Sequence, residues 1–229
     1  MKKKMLIICL CFMAWIFLAG GSAFGITLNY SSIPDASITF YGTSKTFEFP
    51  DSGNDFQIVN VAGGSEALGL YGNIDGTFTI GAITTTPLGF GTTFQYAKVS
   101  GEGTFEIDDE SGFFLNGNLQ WIDIYTVGNN ISTTGALNTL GVINITDITY
   151  EGENADLLLF ANSNAAGNLT FQFLFPGLSL TQLTEDGAEN PTSYSGSVSS
   201  IPVPPTALLL GSGILGLVAW GWRRGRKED

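Results

Sequence analysis

The fold is decided by a short alternating stretch in the first half of the chain, Ile74-Asp75-Gly76-Thr77-Phe78-Thr79-Ile80. Its apolar side chains, Ile74, Phe78 and Ile80, all fall at even positions, and the odd positions are polar. In an extended strand, successive side chains point to opposite faces, so a repeat of two gives one buried and one wet face. Such a pattern is typical of antiparallel sheets.

The same alternation recurs through the centre of the chain, for example at Phe105 and Ile107 and again at Leu169, Phe171 and Phe173. Glycine-, asparagine- and aspartate-rich turn signals separate the runs. Further strands are predicted at residues 37–41, 46–49, 56–61, 93–99, 114–127 and 141–150, with a last strand at Tyr194 and Val198. Only residues 155–161 are predicted as a short helix. Roughly ten strands at this spacing predict an all-β fold, an antiparallel β-sandwich or jelly roll.

The N-terminal segment has the features of a secretory signal peptide. Three lysines, at positions 2–4, precede an apolar run over residues 5–18 and small residues at 19–23. This order predicts a signal peptide over residues 1–25, cleaved after Gly25 with Ala23 three residues from the cut. Cleavage after Ala23 and an uncleaved anchor are the alternatives. Both cysteines, Cys9 and Cys11, lie in this segment.

The C-terminal segment combines a proline motif, an apolar run and a basic end. The motif is Pro202, Val203, Pro204 and Pro205, the apolar run covers residues 206–222, and the basic residues are Arg223, Arg224, Arg226 and Lys227. An uncharged run of this length predicts a short transmembrane helix at 206–222, with the basic cluster kept on the cytoplasmic side. A buried C-terminal core helix is the alternative.

This tail resembles the PEP-CTERM sorting signal of exported bacterial proteins. The resemblance rests on the proline motif, the Leu/Gly-rich run Leu208–Leu217 and the arginine cluster, and it covers about 30 residues. It differs from the usual signal in lacking an acidic residue between the prolines. The resemblance implies that an exosortase-type transpeptidase cuts near the proline motif and transfers the protein to the cell surface, in bacteria that make exopolysaccharide.

These features divide the chain into a signal peptide (1–25), an extracellular β-sandwich domain (26–198) and a sorting signal (199–229). The expected partners are the secretion translocon, signal peptidase and the exosortase, with the membrane contacted through the C-terminal helix before processing. The expected location is therefore the inner membrane first, and then the cell surface or the extracellular space. The stretches Leu70–Ile80, Trp121–Thr126, Ile148–Tyr150, Asn154–Leu158 and Ser193–Ser197 are also similar to uncharacterised mature domains that carry this kind of tail.

Composition excludes whole classes of function for the segment between the two ends. Only Lys45 and Lys98 remain there, against 19 of the 21 acidic residues, because Glu228 and Asp229 lie in the tail; the net charge is −17. A nucleic-acid surface needs lysine and arginine to replace counterions, so none is expected. The whole chain has no histidine. A Ser-His-Asp or Cys-His triad is therefore excluded, and so are His/Cys zinc and copper sites.

Carboxylates are the remaining groups that could carry out chemistry. The candidates for a glycosidase-like catalytic pair are Glu102, Glu106, Asp123 and Asp147, some of which lie on strand patterns. Asp123 has the same alternation phase as Trp121 and Tyr125, so an inward Trp121 would bring Asp123 inward too. Spacing alone does not build an active site, and the sequence predicts no catalytic residue and no enzyme.

Two binding sites are predicted. Asp108, Asp109 and Glu110 place three carboxylates in one turn, which makes them the best candidate for calcium, the one cofactor considered. Trp121 is the only tryptophan between the two ends, and with Tyr125 it is the candidate for stacking on sugar rings. Solvated turn carboxylates and core aromatics are the alternatives.

The sequence therefore predicts an exported, non-enzymatic protein with a structural or adhesive role in an exopolysaccharide matrix. A carbohydrate-binding module, with or without calcium, is the alternative. A carboxylate-only glycan hydrolase is the third hypothesis.

Overall fold

Twelve strands and two short helices make up the part of the chain that the structure describes. A computed structural model describes residues 25–50, 53–129, 138–161, 164–173 and 177–201. The elements are, in order, β1 (Thr27–Ser32), β2 (Ile38–Tyr41), β3 (Thr46–Glu48), β4 (Phe56–Ala62), β5 (Tyr71–Ile80), β6 (Thr84–Gly89), β7 (Thr92–Ser100), β8 (Glu102–Asp108), β9 (Phe114–Asn129), β10 (Asn138–Thr149), α1 (Ala155–Leu158), β11 (Asn164–Gln172), α2 (Leu180–Leu183) and β12 (Glu189–Ile201).

The prediction of an all-β, antiparallel fold is confirmed. Every strand pairing among the described residues is antiparallel. All of the predicted strands are present, and the predicted helix at 155–161 is reduced to the four residues of α1, whose N-terminus is capped by the side chain of Asn154.

Three elements were not predicted from the sequence: β1, β6 and α2. β1 carries a usable signal, since Leu28 and Tyr30 are buried and alternate with polar residues. Pro87 disfavours a strand at β6, because proline cannot donate a hydrogen bond within a sheet. In the described part of the chain, however, β6 pairs only with β7, and an edge strand tolerates proline. The signal for α2 is a capping box, in which the side chains of Ser179 and Gln182 each bond to the other residue's backbone.

Eight of the strands hydrogen-bond in a closed circuit. Its order is β1, β4, β5, β8, β9, β10, β11, β12 and back to β1. The closing pair joins β1 to β12, for example Thr27 to Ser199, across nearly the whole described length. Closure satisfies strand edges that would otherwise be open to pairing with other chains.

Two strands each divide their pairing between two neighbourhoods. The first half of β5 pairs with β4 and β8, and its second half, Thr77–Ile80, pairs with β3 and β7. Likewise, the start of β12 pairs with β2, and the rest pairs with β11 and β1. β12 runs through Ser199 and Ser200, so these residues, predicted as the start of the sorting signal, belong to a strand. The Ser200 hydroxyl accepts a hydrogen bond from the Ile26 amide.

The core is rich in aromatic rings. Phe47, Phe78, Trp121 and Phe171 come from four different strands and contact one another with ring centroids 4.7–6.1 Å apart. Tyr30, Phe56 and Phe105 form a neighbouring group. Burial of large rings is the main favourable contribution to the stability of such a fold.

Candidate functional site

The candidate site lies on the outer face of β9, and an irregularity in that strand creates it. Trp121 pairs with Ile143 of β10, but Asp123 pairs with the adjacent Val142, so Ile122 is an extra residue. Such a bulge shifts the alternation by one residue. Trp121 is buried, Ile122 and Asp123 are both half-buried, and Ile124 is buried again. The bulge lies where the other neighbour of β9 changes from β8 to β7.

The expectation that Trp121 and Asp123 share a face is therefore wrong. Trp121 is 2 % exposed, and its ring packs against Phe47, Phe78 and Phe171. Its indole N–H donates to the backbone carbonyl of Asp123, at 2.9 Å. The ring is enclosed by the core, so the prediction that Trp121 stacks on a sugar is wrong as well.

Tyr125 lies on the other side of β9, in a strip of outward aromatic rings. We call Phe94, Tyr96 and Tyr125 the aromatic strip. All three side chains are half-buried, and Phe94 stacks near Tyr96 (centroids 6.4 Å apart) and beside Tyr125 (5.7 Å). Tyr96 and Tyr125 are directly opposed in the β7–β9 pairing. The sequence predicts Tyr125 and the strand at 93–99, but it does not show that Phe94 and Tyr96 point outward, because both faces of β7 carry apolar side chains.

A charged pair borders the strip. The Lys98 ammonium lies 2.8 Å from the Asp123 carboxylate and 5.6 Å from the centre of the Tyr96 ring. The Tyr96 hydroxyl donates to the same carboxylate oxygen at 2.7 Å. These contacts fix the Tyr96 ring from its hydroxyl end, so that the ring presents its surface in one orientation.

The protonation states of this pair are set by the same contacts. Burial opposes ionisation of Asp123, but hydrogen bonds from Lys98 and Tyr96 outweigh it and lower the pKa of this carboxyl. The hydrogen bonds to Asp123 and Tyr96 raise the pKa of Lys98. Asp123 is thus ionised and Lys98 protonated at neutral pH, which suits neither to proton transfer with a pKa near 7.

A polar groove continues the outer face of β9 beyond the bulge. It has a volume of about 560 Å³ and is lined by Asp75, Gly76, Glu102, Gly103, Thr104, Asn118, Leu119, Gln120 and Thr146. Gly76 and Gly103 are directly paired, and a Cβ atom at either position would meet the buried ring of Phe78. Asn118 is oriented by a 3.0 Å hydrogen bond from its amide to Asp147.

The acidic turn predicted to bind calcium has a structural role instead. One carboxylate oxygen of Asp109 accepts from the amides of Ser111 and Phe113, and the other accepts from the Tyr150 hydroxyl at 2.6 Å. Asp108 accepts from the Glu110 amide. Within the described ranges, no group of three or more acidic, histidine or cysteine side chains could hold a metal ion. Desolvation raises the pKa of Asp109, but these hydrogen bonds outweigh it and lower the pKa.

The four carboxylates that are candidates for catalysis have different surroundings. Glu102 lines the polar groove, Asp123 is bound to Lys98, and Asp147 accepts from Asn118 and Thr146. Glu106 is on β8, where burial, and then the negative charge of Asp108, raise its pKa.

The residues predicted for export fall mostly outside the described part of the chain. These are Ala23, the motif Pro202, Val203, Pro204 and Pro205, and the basic residues Arg223, Arg224, Arg226 and Lys227. Gly25, at the predicted cleavage site, is exposed and precedes β1. Neither α1 nor α2, the helices of the described ranges, is long and apolar enough to cross a membrane.

Comparisons with known proteins give no match for this chain. No protein-family model matches the chain. Searches of curated proteins and of solved structures likewise find no match.

Proposed function

We propose that this chain is an exported protein of the cell surface or extracellular matrix, and that it adheres to polysaccharide through the aromatic strip. The observation that carries the binding proposal is the arrangement of Phe94, Tyr96 and Tyr125 as adjacent outward rings on two paired strands. Flat apolar surface with hydroxyl groups at its edge is what the C–H faces and hydroxyls of a sugar chain require. The role is binding without catalysis.

For the architecture we propose a β-sandwich. Support comes from the ring contacts between strands that are not neighbours in the sheet: Trp121 of β9 and Phe171 of β11 pack against Phe47 of β3. In this arrangement, the inner face of β9 supplies the core and its outer face supplies the site.

The export half of the proposal is supported by the sequence of the two ends. In this scheme the translocon and signal peptidase release the N-terminus near Gly25, and the 206–222 helix holds the chain in the inner membrane. An exosortase-type transpeptidase then cuts near Pro202–Pro205. The high negative charge of the remaining domain favours solubility outside the cell.

The binding proposal predicts that Tyr125→Ala lowers affinity for polysaccharide at least about tenfold, the effect of losing one well-placed aromatic contact. The measurement is affinity electrophoresis and calorimetry of the purified chain with soluble glucans, mannans, galactans and chitin- and chitosan-derived oligomers. Tyr71→Ala is the matched control, since Tyr71 is an exposed tyrosine on β5, outside the strip.

Trp121→Phe is a second control, because Trp121 is enclosed by the core and is not one of the strip residues. Retained binding in both controls and its loss in Tyr125→Ala support the strip. If the wild-type chain binds none of these polymers, or if Tyr125→Ala binds as well as wild type, the proposal is wrong.

The export proposal predicts that both ends of the chain are removed. The intact mass of protein recovered from the cell surface should correspond to a chain that lacks residues 1–25 and the residues after the proline motif. Substitution of Pro204 and Pro205 by alanine should leave the protein in the membrane fraction with its tail attached. Surface protein that retains its basic C-terminus would contradict exosortase processing.

A further inference from the structure

We propose that the polar groove and the aromatic strip bind one continuous polysaccharide chain, and that the groove selects amino-sugar polymers carrying free, cationic amino groups. This inference rests on the proposed function, since the strip would supply the main contact. It names the class of ligand, which the strip alone does not.

The polar groove and the aromatic strip lie one after the other along β9. On the outer face, β9 presents Asn118 and Gln120 to the groove and Asp123 and Tyr125 to the strip. Because a strand rises about 3.4 Å per residue, Asn118 and Tyr125 are separated by about 24 Å along β9. The bulge at Ile122 keeps both pairs on the same side of the sheet. A sugar chain that follows β9 would therefore meet both.

Two paired glycines, Gly76 and Gly103, lie beside the groove, and their missing side chains would point to the inner face, against the buried ring of Phe78. A Cβ atom on Gly103 would lie 2.1 Å from the carbonyl oxygen of Asp75, and Gly76 has a φ of +138°, which residues with side chains rarely adopt. No larger residue fits at either position without local rearrangement. The outer side of the groove is bordered by the exposed side chains of the neighbouring positions, Asp75, Glu102 and Thr104.

The charged side chains that line the groove are all negative, and its other polar side chains are neutral. Its side chains are the carboxylates of Asp75 and Glu102, the amides of Asn118 and Gln120, and the hydroxyls of Thr104 and Thr146. Amides and hydroxyls suit sugar hydroxyl groups, and carboxylates accept from ammonium groups in short charge-assisted bonds.

No cation lines the groove to neutralise these carboxylates or to attract an anion. Lys98 is held by Asp123, and Lys45 is not among the residues that line it. A polymer of uronic acids or with sulfate groups would be repelled by Asp75 and Glu102 and by the net charge of −17 over residues 26–200. A neutral polymer would leave the carboxylates unpaired, whereas protonated amino groups would pair with them.

The test uses the purified full chain and two oligomers that differ only at nitrogen, chitosan hexaose and its fully N-acetylated counterpart. Calorimetry at mildly acidic pH, where the amino groups of the chitosan oligomer are protonated, should show about tenfold tighter binding of that oligomer, with an affinity that falls between low and physiological salt. Asp75→Asn combined with Glu102→Gln should remove this preference, so that the variant binds the two oligomers with equal affinity.

The control for general charge attraction is Asp35→Asn combined with Glu189→Gln. It removes the same number of charges at two exposed positions that do not line the groove, and it should keep the preference. Circular dichroism verifies that each variant is folded. Tyr125→Ala should weaken binding of both oligomers, which separates the strip from the groove.

Three outcomes would overturn the inference while leaving the proposed function intact: equal affinity for the two oligomers, a preference that survives in the groove variant, or a preference that is lost equally in the control variant. If the wild-type chain binds neither oligomer but binds another polymer through Tyr125, the selectivity is wrong and the strip stands. If it binds no polysaccharide, both are wrong.

Discussion

Trp121→Ala is expected to lower the free energy of unfolding by about 3–5 kcal/mol, the cost of replacing a large core aromatic by alanine. Trp121 is 2 % exposed and contacts rings from β3, β5 and β11, so the cavity would lie between strands that cannot easily close over it. A domain of ordinary stability has about 5–15 kcal/mol in total, so this change would remove a large share of it. Urea titration followed by far-ultraviolet circular dichroism measures the effect.

Tyr125→Ala is the matched control for this prediction. Tyr125 is an aromatic residue on the same strand but on the outer face, and its loss should cost no more than about 1 kcal/mol, the range of cross-strand pairs. Trp121→Ala should therefore lower mainly the stability of the protein, whereas Tyr125→Ala should lower mainly its affinity for polysaccharide. Similar losses of stability would show that Trp121 is not the centre of the core.

Gly141→Ala should destabilise the protein by about 1–3 kcal/mol, as overpacking of a well-filled core does. The indole ring of Trp121 lies over Gly141: a Cβ atom there would be only 2.0 Å from the nearest ring carbon. The ring cannot move aside, because Phe47 and Phe171 hold it from other strands. The same urea titration gives the difference in free energy of unfolding.

A double-mutant cycle assigns that cost to its cause. In a Trp121→Phe background the ring carbon nearest Gly141 is absent, so Gly141→Ala should cost clearly less than in the wild-type chain. Equal costs in the two backgrounds would mean that the glycine is required for a backbone reason and not for the indole ring.

Local pattern predicted most of the strands because alternation is a property of neighbouring residues. Ile74, Phe78 and Ile80 are buried as the repeat of two indicates, and so are Phe105, Ile107, Leu169 and Phe171. α2 was missed although its capping box is visible in the sequence, because the helix has only four residues and no periodic apolar stripe. The β6 strand was missed because its proline is acceptable only at an edge, and edges are set by the topology.

The candidate site was predicted less well, for an identifiable reason. The repeat of two predicts that Tyr125 and Trp121 lie on the same face of the strand. One extra residue, Ile122, instead places the two rings on opposite faces. The sequence predicts Asp109 as a calcium ligand because acidic residues lie on both sides of it. Its actual partners include Tyr150, which is distant along the chain. The polar groove depends on β8 pairing with both β5 and β9, which no local pattern reveals.

The sequence by itself determined that the folded part is β throughout, strongly acidic and free of histidine and cysteine, because composition and alternation depend on each residue and its neighbours alone. Only the tertiary structure decided which side of β9 faces the core, which strands close the circuit and which polar groups meet at its surface. Those features depend on pairings between distant strands. A single bulged residue among them exchanges the inner and outer faces for everything that follows it in the strand.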